Sequence, residues 1–268
     1  MNYKSYSLHN FTELPQLSRL SSEQVEAIRV VGSVLPFKSN NYVTEQLIDW
    51  NNIPDDPIFT LTFPRREMLA KPHYEKVAGL LRSGADPKLI KDEVNKIRLK
   101  LNPNPAGQVH NIPLFEGTKL HGIQHKYRET VLFFPSQGQT CHAYCTFCFR
   151  WPQFSGMSEL KFAMKEAALL HKYLLKHSKV TDLLLTGGDP LTANAKILSA
   201  YIEPILSKEF SHIQNIRIGS KSLAYWPYRF LTDKDADDLL LLFEKVIKAG
   251  KHLAFQAHFN HPDELMTD

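Results

Sequence analysis

The chain has 268 residues, with Lys plus Arg at 32 against Asp plus Glu at 28, a net charge of +4, 43% hydrophobic and 22% charged residues. That balance buries a full core and excludes an intrinsically disordered chain. It also argues against charge-driven binding of nucleic acid, because no dense Lys/Arg block accompanies the small positive excess.

The N-terminal part reads as helical and irregular. Ser21-Ser22-Glu23-Gln24 is a capping box, Val25, Ile28 and Val31 follow at helical spacing, and Pro36 ends the helix. Asn52-Ile53-Pro54-Asp55-Asp56-Pro57 reads as a turn-rich connector. A second helix is expected from Pro72 to Leu81, stopped at Ser83-Gly84. A third is expected from Asp86-Pro87 to just before Asn102-Pro103-Asn104-Pro105, with Lys96, Arg98 and Lys100 on its solvated side. The first 120 residues are thus expected to form a mainly helical region, and 121–268 a second part.

There the pattern changes. Thr130–Phe134 is an apolar strand run. A helix is expected from Ser158 to His177, with His171 and His177 on its surface. A second strand covers Asp182–Thr186, a helix Asn194–Leu206, and a third strand Ile213–Ile218. Thr232-Asp233-Lys234-Asp235 resembles an N-cap for a helix running to Ala249, with Gly250 at the C′ position, and His252–Ala257 is a fourth strand. Strands alternating with helices predict an α/β fold with a parallel sheet. Tyr225-Trp226-Pro227-Tyr228 is expected to pack beside it. A closed eight-stranded barrel takes about 250 residues, so about four βα strands of a partial barrel are expected, with the chain cut short after the fourth. No apolar run approaches the ~18 residues of a membrane span, and residues 1–22 hold no apolar signal core. A cytoplasmic protein is expected.

All three cysteines lie in Cys141-His142-Ala143-Tyr144-Cys145-Thr146-Phe147-Cys148. Three thiols cannot make a disulfide framework. Clustered after a strand they suit a soft metal centre, with an iron–sulfur cluster favoured over zinc, because structural zinc wants four ligands and no second Cys pair exists. Thr186-Gly187-Gly188-Asp189-Pro190 ends the second strand, where paired glycines admit close backbone approach and an acid can meet an ammonium group.

The C-x3-C-x-aromatic-C pattern after a first strand resembles the radical S-adenosylmethionine (SAM) superfamily. The resemblance implies a [4Fe–4S] cluster on Cys141, Cys145 and Cys148, with SAM on the fourth iron and cleaved to a 5′-deoxyadenosyl radical. It implies Phe147 near the adenine, and Gly187, Gly188 and Asp189 near the methionyl amine. His125-Lys126-Tyr127, LLLTGGDPL, Ile216–Lys221 with Ser220, His258-Phe259-Asn260-His261-Pro262 and Ile53–Phe59 are similar to the lysine 2,3-aminomutase family. That family moves an amino group between adjacent carbons with pyridoxal 5′-phosphate (PLP) as a further cofactor. The likeness implies Lys126, Tyr127, Ser220 and His258 as cofactor-binding residues and Arg150 as the binder of a substrate carboxylate. It implies an amino-acid substrate and an electron donor such as flavodoxin or ferredoxin, and is compatible with a homo-oligomer. This sequence departs from the pattern at Lys126, Thr130 and Lys221, each standing where an arginine is expected, and the PLP-linking lysine is not assigned. Two alternatives stand beside this reading: a PLP-independent radical SAM enzyme acting on RNA or a peptide, and an inactive metal-binding remnant.

Overall fold

The structure, a computed structural model, describes residues 1–267. The chain divides into two compact units. One comprises residues 1–105, 142–160 and 260–267, and the other 106–141 and 161–259. The division is not a single cut along the sequence, because residues 142–160, with Cys145 and Cys148 but not Cys141, and the last residues group with the N-terminal part.

In the first unit, β1 (Ser5–Ser7) precedes α1 (Ser22–Val34) and pairs antiparallel with β2 (Lys38–Asn40). The capping box forms as read, with Ser21 accepting from the Gln24 amide and Gln24 accepting from the Ser21 amide. The connector after Asn52 is irregular, but it leads into a short helix that its prolines conceal, α2 (Pro57–Thr62). Asp56 caps it and Pro57 stands in the first turn, where a missing N–H costs nothing. Two longer helices follow, α3 (Lys71–Arg82) and α4 (Pro87–Lys100). α1, α3 and α4 share a core of Ala27, Val30, Val31, Val34, Tyr74, Val77, Val94 and Ile97. Arg98 corrects the solvated-face expectation. Its guanidinium donates to the carbonyls of Val34 at 2.7 Å and Ser33 at 3.0 Å, closing the C-terminus of α1.

The second unit opens with a small hairpin, β3 (Leu114–Phe115) and β4 (Thr118–Lys119). A five-stranded sheet follows, in the order β5 (Ile123–Tyr127), β6 (Thr130–Phe133), β7 (Asp182–Leu185), β8 (Asn215–Ser220), β9 (His252–Ala257). β6 to β9 are parallel and in sequential order, joined by α5 (Ala167–Lys176), α6 (Ala195–Ile202) and, beyond β8, the short α7 (Ser222–Tyr225) and α8 (Tyr228–Leu231) before α9 (Ala236–Lys248). The fold is mixed α/β, and no closure of the sheet is formed among the described residues. Val131, Phe133, Leu183, Leu185, Ile216 and Ile218 fill its core against Leu170, Leu174, Leu198, Leu239 and Val246 of the helices.

Four local readings are corrected here. β5 pairs antiparallel with β6, although its polar His125 and Lys126 hide the strand pattern. The third parallel strand runs to Ser220, two residues past the expected end. The first crossover helix begins at Ala167 rather than Ser158, because Met164 exchanges backbone bonds with Phe134 and Ser136 beside Pro135 before the helix can start. His171 and His177 are half-buried rather than surface groups. The first bonds the Tyr201 carbonyl at 3.0 Å, and the second lies against the Tyr173 ring at 3.9 Å. Tyr225 and Trp226 are buried, and the Trp226 indole donates to Asp233 at 3.0 Å.

β5 carries a register shift between Gln124 and Tyr127, and His125 sits in this bulge. Its Nδ1 lies 2.6 Å from the Tyr173 hydroxyl and its Nε2 3.4 Å from the Arg128 carbonyl. Burial pushes the Tyr173 phenol up to about 12 and holds the His125 imidazole below its ordinary value, with His177 adding to the depression. The unfolded chain therefore takes up this proton more readily than the folded one. The contribution of the neutral ring is present above about pH 6.5 and is lost as pH falls through the lower folded value. Thermal melting of the wild type is expected to weaken below about pH 6.5 more steeply than that of His125→Asn. Equal pH slopes for the two would remove His125 from the account.

Candidate active site

The approach to the first cysteine lies in the second unit. β6 alternates buried and half-buried residues, Pro135 ends it, and a 3₁₀ turn over Ser136–Gly138 leads through Gln139 and Thr140 to Cys141. The loop after β7 packs directly on this segment. Asp189 N donates to the Thr140 carbonyl at 2.6 Å. A Cβ on Gly188 would fall on the Thr140 carbonyl oxygen and lie 2.6 Å from the Thr140 nitrogen, and one on Gly138 would lie 2.9 Å from the Pro190 Cα. Gly187 adopts φ +135, open to glycine alone. The paired glycines are thus required by contact between two loops of the protein.

Asp189 is 2% exposed, and its carboxylate faces inward. It accepts from the hydroxyl of Ser220 at 2.8 and 2.9 Å, that of Ser222 at 3.2 Å, and the amides of Lys221 at 2.9 Å and Leu191 at 3.0 Å. Burial pushes this carboxyl up, and the bonds from Ser220, Lys221, Leu191 and Ser222 oppose the rise. The amide of His258 donates to the Ser220 carbonyl at 3.0 Å, and Lys221 Nζ to the His258 carbonyl at 3.2 Å. The structure therefore gathers Gly187, Gly188, Asp189, Ser220 and His258 with Thr140-Cys141, at the C-terminal ends of β6 to β9 where α/β folds build sites. Ser222 belongs to this network and escapes a reading of motifs, because a serine opening a short helix resembles any cap.

Lys126 and Tyr127 do not join that group. Tyr127 pairs with Thr130, the first residue of β6, whereas Gly187 lies two residues beyond the partner of Phe133. At ~3.3 Å per residue the separation along the strands is roughly 16 Å. Both side chains are exposed, with Lys126 Nζ 5.5 Å from the Tyr127 ring centroid.

Cys145, Phe147, Cys148 and Arg150 lie in the first unit. Cys148 N donates to the Cys145 carbonyl at 3.1 Å and Trp151 N to the Cys148 carbonyl at 3.1 Å, so the loop closes in overlapping turns. Cys145 and Cys148 line a cavity of about 370 Å³ whose walls include Phe37, Tyr144, Trp151 and Phe154. Phe147 is exposed, and the Arg150 guanidinium sits 4.9 Å from the Phe149 ring centroid. Burial pushes the Cys148 thiol up. Residues distant in sequence hold this loop. The carbonyl of His142 accepts from the Tyr3 hydroxyl at 3.2 Å and from Asn40 Nδ2 at 3.1 Å. Tyr144 N donates to the Lys38 carbonyl and Thr146 N to the Leu61 carbonyl, each at 2.8 Å, while Thr146 Oγ1 reaches the Thr60 carbonyl at 2.9 Å. No local pattern points to Tyr3 or Asn40.

None of the three cysteines is in a disulfide, and each is half-buried. Among the described residues no three His, Cys, Asp or Glu side chains converge on a point for a single metal ion. Three cysteines outside any disulfide on one short loop, two of them beside an aromatic-lined cavity, are a donor set whose chemistry fits an iron–sulfur cluster.

The fold and the site define a mixed α/β protein with a three-cysteine loop beyond one parallel strand and a glycine–acid loop beyond the next. No family model matches the chain. A protein of Aquifex aeolicus (strain VF5), described as a "Putative L-lysine 2,3-aminomutase", is 32% identical over 260 residues, covering 96% of this chain and 57% of that protein. The L-lysine 2,3-aminomutase of Clostridium subterminale is 29% identical over 187 residues, 68% of this chain and 42% of that one. The glutamate 2,3-aminomutase of Clostridioides difficile (strain 630) is 25% identical over the whole of this chain and 52% of its own. These relatives, 25% to 32% identical over broad stretches of the chain, support a radical SAM, lysine 2,3-aminomutase-like family. The chain spans about half the length of the curated relatives it matches. Among the described residues no helix is long and apolar enough to cross a membrane.

Proposed function

We propose that the protein is a radical SAM enzyme in which Cys141, Cys145 and Cys148 hold a [4Fe–4S] cluster, and that its reaction is an aminomutase-type 1,2-amino shift on an amino acid. The observation that carries this reading is the trio of cysteines on the loop that follows β6, in a chain 32% identical to a protein described as a putative L-lysine 2,3-aminomutase. When bound, the cluster and SAM supply a carbon radical strong enough to remove hydrogen from an unactivated carbon. The chain's own part is positional. The Gly187–Pro190 loop backs the approach to Cys141, and Asp189 and Ser220 fix that loop. Phe147, exposed beside the cysteines, offers a face to the adenine, and Arg150 a fork to a substrate carboxylate. A cytoplasmic location, a radical SAM partial barrel over residues 121–268 and an electron donor such as flavodoxin or ferredoxin belong to this reading.

PLP finds less support. Lys126 and Tyr127 give its phosphate one cation and one phenol on an exposed strand end, Thr130 adds no charge, and no lysine is assigned to its aldehyde. These residues do not make a complete site, and no step is derived through PLP.

The test is anaerobic reconstitution, with reductant and SAM, followed by assay for 5′-deoxyadenosine and for isomers of lysine and glutamate. Bound iron and acid-labile sulfide, 5′-deoxyadenosine and a β-amino acid are expected. Absence of iron and sulfide overturns the reading. SAM cleavage without a visible imine band on added PLP replaces the amino shift by the PLP-independent alternative.

A further inference from the structure

Between Cys141 and Cys148 the loop forms a turn in which the Cys148 amide donates to the Cys145 carbonyl. Further bonds to it come from the N-terminal segment. The His142 carbonyl accepts from Tyr3 and Asn40, the Tyr144 and Thr146 amides donate to Lys38 and Leu61, and the Thr146 hydroxyl donates to Thr60, all at positions between the cysteines. The side-chain bonds span 86, 102 and 139 residues of sequence. Asn40 is fully buried and used at both ends, its Oδ1 accepting from the Val43 amide at 3.0 Å while its Nδ2 serves His142. Its own backbone is fixed by the β1–β2 pairing opposite Ser5.

We propose that β1, β2 and α2 form a template that holds the loop in its cluster-binding shape before iron arrives, with Asn40 as the principal positioning residue. A loop already ordered loses little conformational entropy when the cluster binds, so the template slows cluster loss and speeds its assembly. This rests on the reading that Cys145 and Cys148 are cluster ligands. Tyr3, Asn40 and Thr146 act through the backbone that carries the thiols.

The experiment follows loss of iron to a chelator from the reconstituted chain, together with the visible and electron-paramagnetic spectra and the melting temperature. Asn40→Ala is expected to lose iron about tenfold faster than wild type, the effect of one buried hydrogen bond. The double variant Tyr3→Phe with Thr146→Val keeps shape and removes only two hydroxyls. It is expected to lose iron severalfold faster with the melting temperature nearly unchanged, and serves should Asn40→Ala fail to fold. Val94→Ala, in the helical core away from the loop, is expected to lower melting without hastening iron loss. Wild-type iron retention in the loop variants overturns the proposal, as does iron loss in Val94→Ala equal to theirs. Wild type that binds no iron and sulfide sinks the cluster reading instead.

Discussion

Cys145→Ala and Cys148→Ala are each expected to abolish retention of iron and acid-labile sulfide and to lower SAM cleavage by more than about a hundredfold. Changes to residues merely behind a metal ligand cost ~10–100-fold, and here a proposed ligand itself is removed. The fold is expected to survive. The bonds that hold the loop run through the backbone at His142, Tyr144 and Thr146 and through the Thr146 hydroxyl, and the hydrogen bond between Cys148 and Cys145 joins amide to carbonyl. Neither half-buried thiol serves in these ties, so truncation removes one sulfur beside the cavity and costs about 1 kcal/mol. Unchanged far-ultraviolet dichroism with lost iron is the expected pair of results. Iron retained at wild-type stoichiometry in either variant would remove that cysteine from the ligand set.

What was legible in the sequence was what local chemistry specifies. Ser21 with Gln24, Asp86 with Pro87, Asn194 at the start of α6 and Gly250 at φ +75 each mark an element boundary within a few residues. The parallel order of β6 to β9 followed from apolar runs alternating with amphipathic helices. Asp235 shows the limit. It stands at the cap position of α9 but makes no cap bond, because it is engaged by Arg229 and the Ala195 amide instead. β5 and the late start of α5 were obscured for a related reason, since both depend on backbone pairing with β6 and Pro135 rather than on their own residue pattern.

The same division runs through the site. The cysteine trio and Gly187-Gly188 are visible as spacing. What the glycines meet is not. Gly188 is small because the Thr140 backbone occupies the space a Cβ would need, and no local sequence rule encodes a neighbour 48 positions away. Tyr3 and Asn40 are further examples, ordinary residues by pattern that acquire a task from the β1–β2 pairing and its contact with the loop.

Asp189→Ala is expected to destabilise the protein by about 2–4 kcal/mol, the cost of leaving buried neutral donors without their acceptor. The carboxylate takes two amides and two hydroxyls in a dry setting. The hydroxyls of Ser220 and Ser222 already lie 2.9 Å apart and can satisfy one another, but the amides of Lys221 and Leu191 are left without an acceptor. Asp189→Asn retains one oxygen and turns an NH2 towards groups that also donate, so about 2 kcal/mol is expected. The two variants differ in a second respect. Burial raises the Asp189 carboxyl, so the folded state holds its proton more tightly than the unfolded chain. That contribution is full below the ordinary carboxylate value and is lost as pH rises through the raised folded value. Asp189→Asn has no proton to release and is expected to show a flatter pH dependence across that window in urea unfolding. Because the Asp189 amide also holds the Thr140 carbonyl beside Cys141, Asp189→Ala is expected to lower iron retention as well. A variant that unfolds like wild type at every pH would show that the four donors are held by other contacts and that the acid is dispensable to the loop.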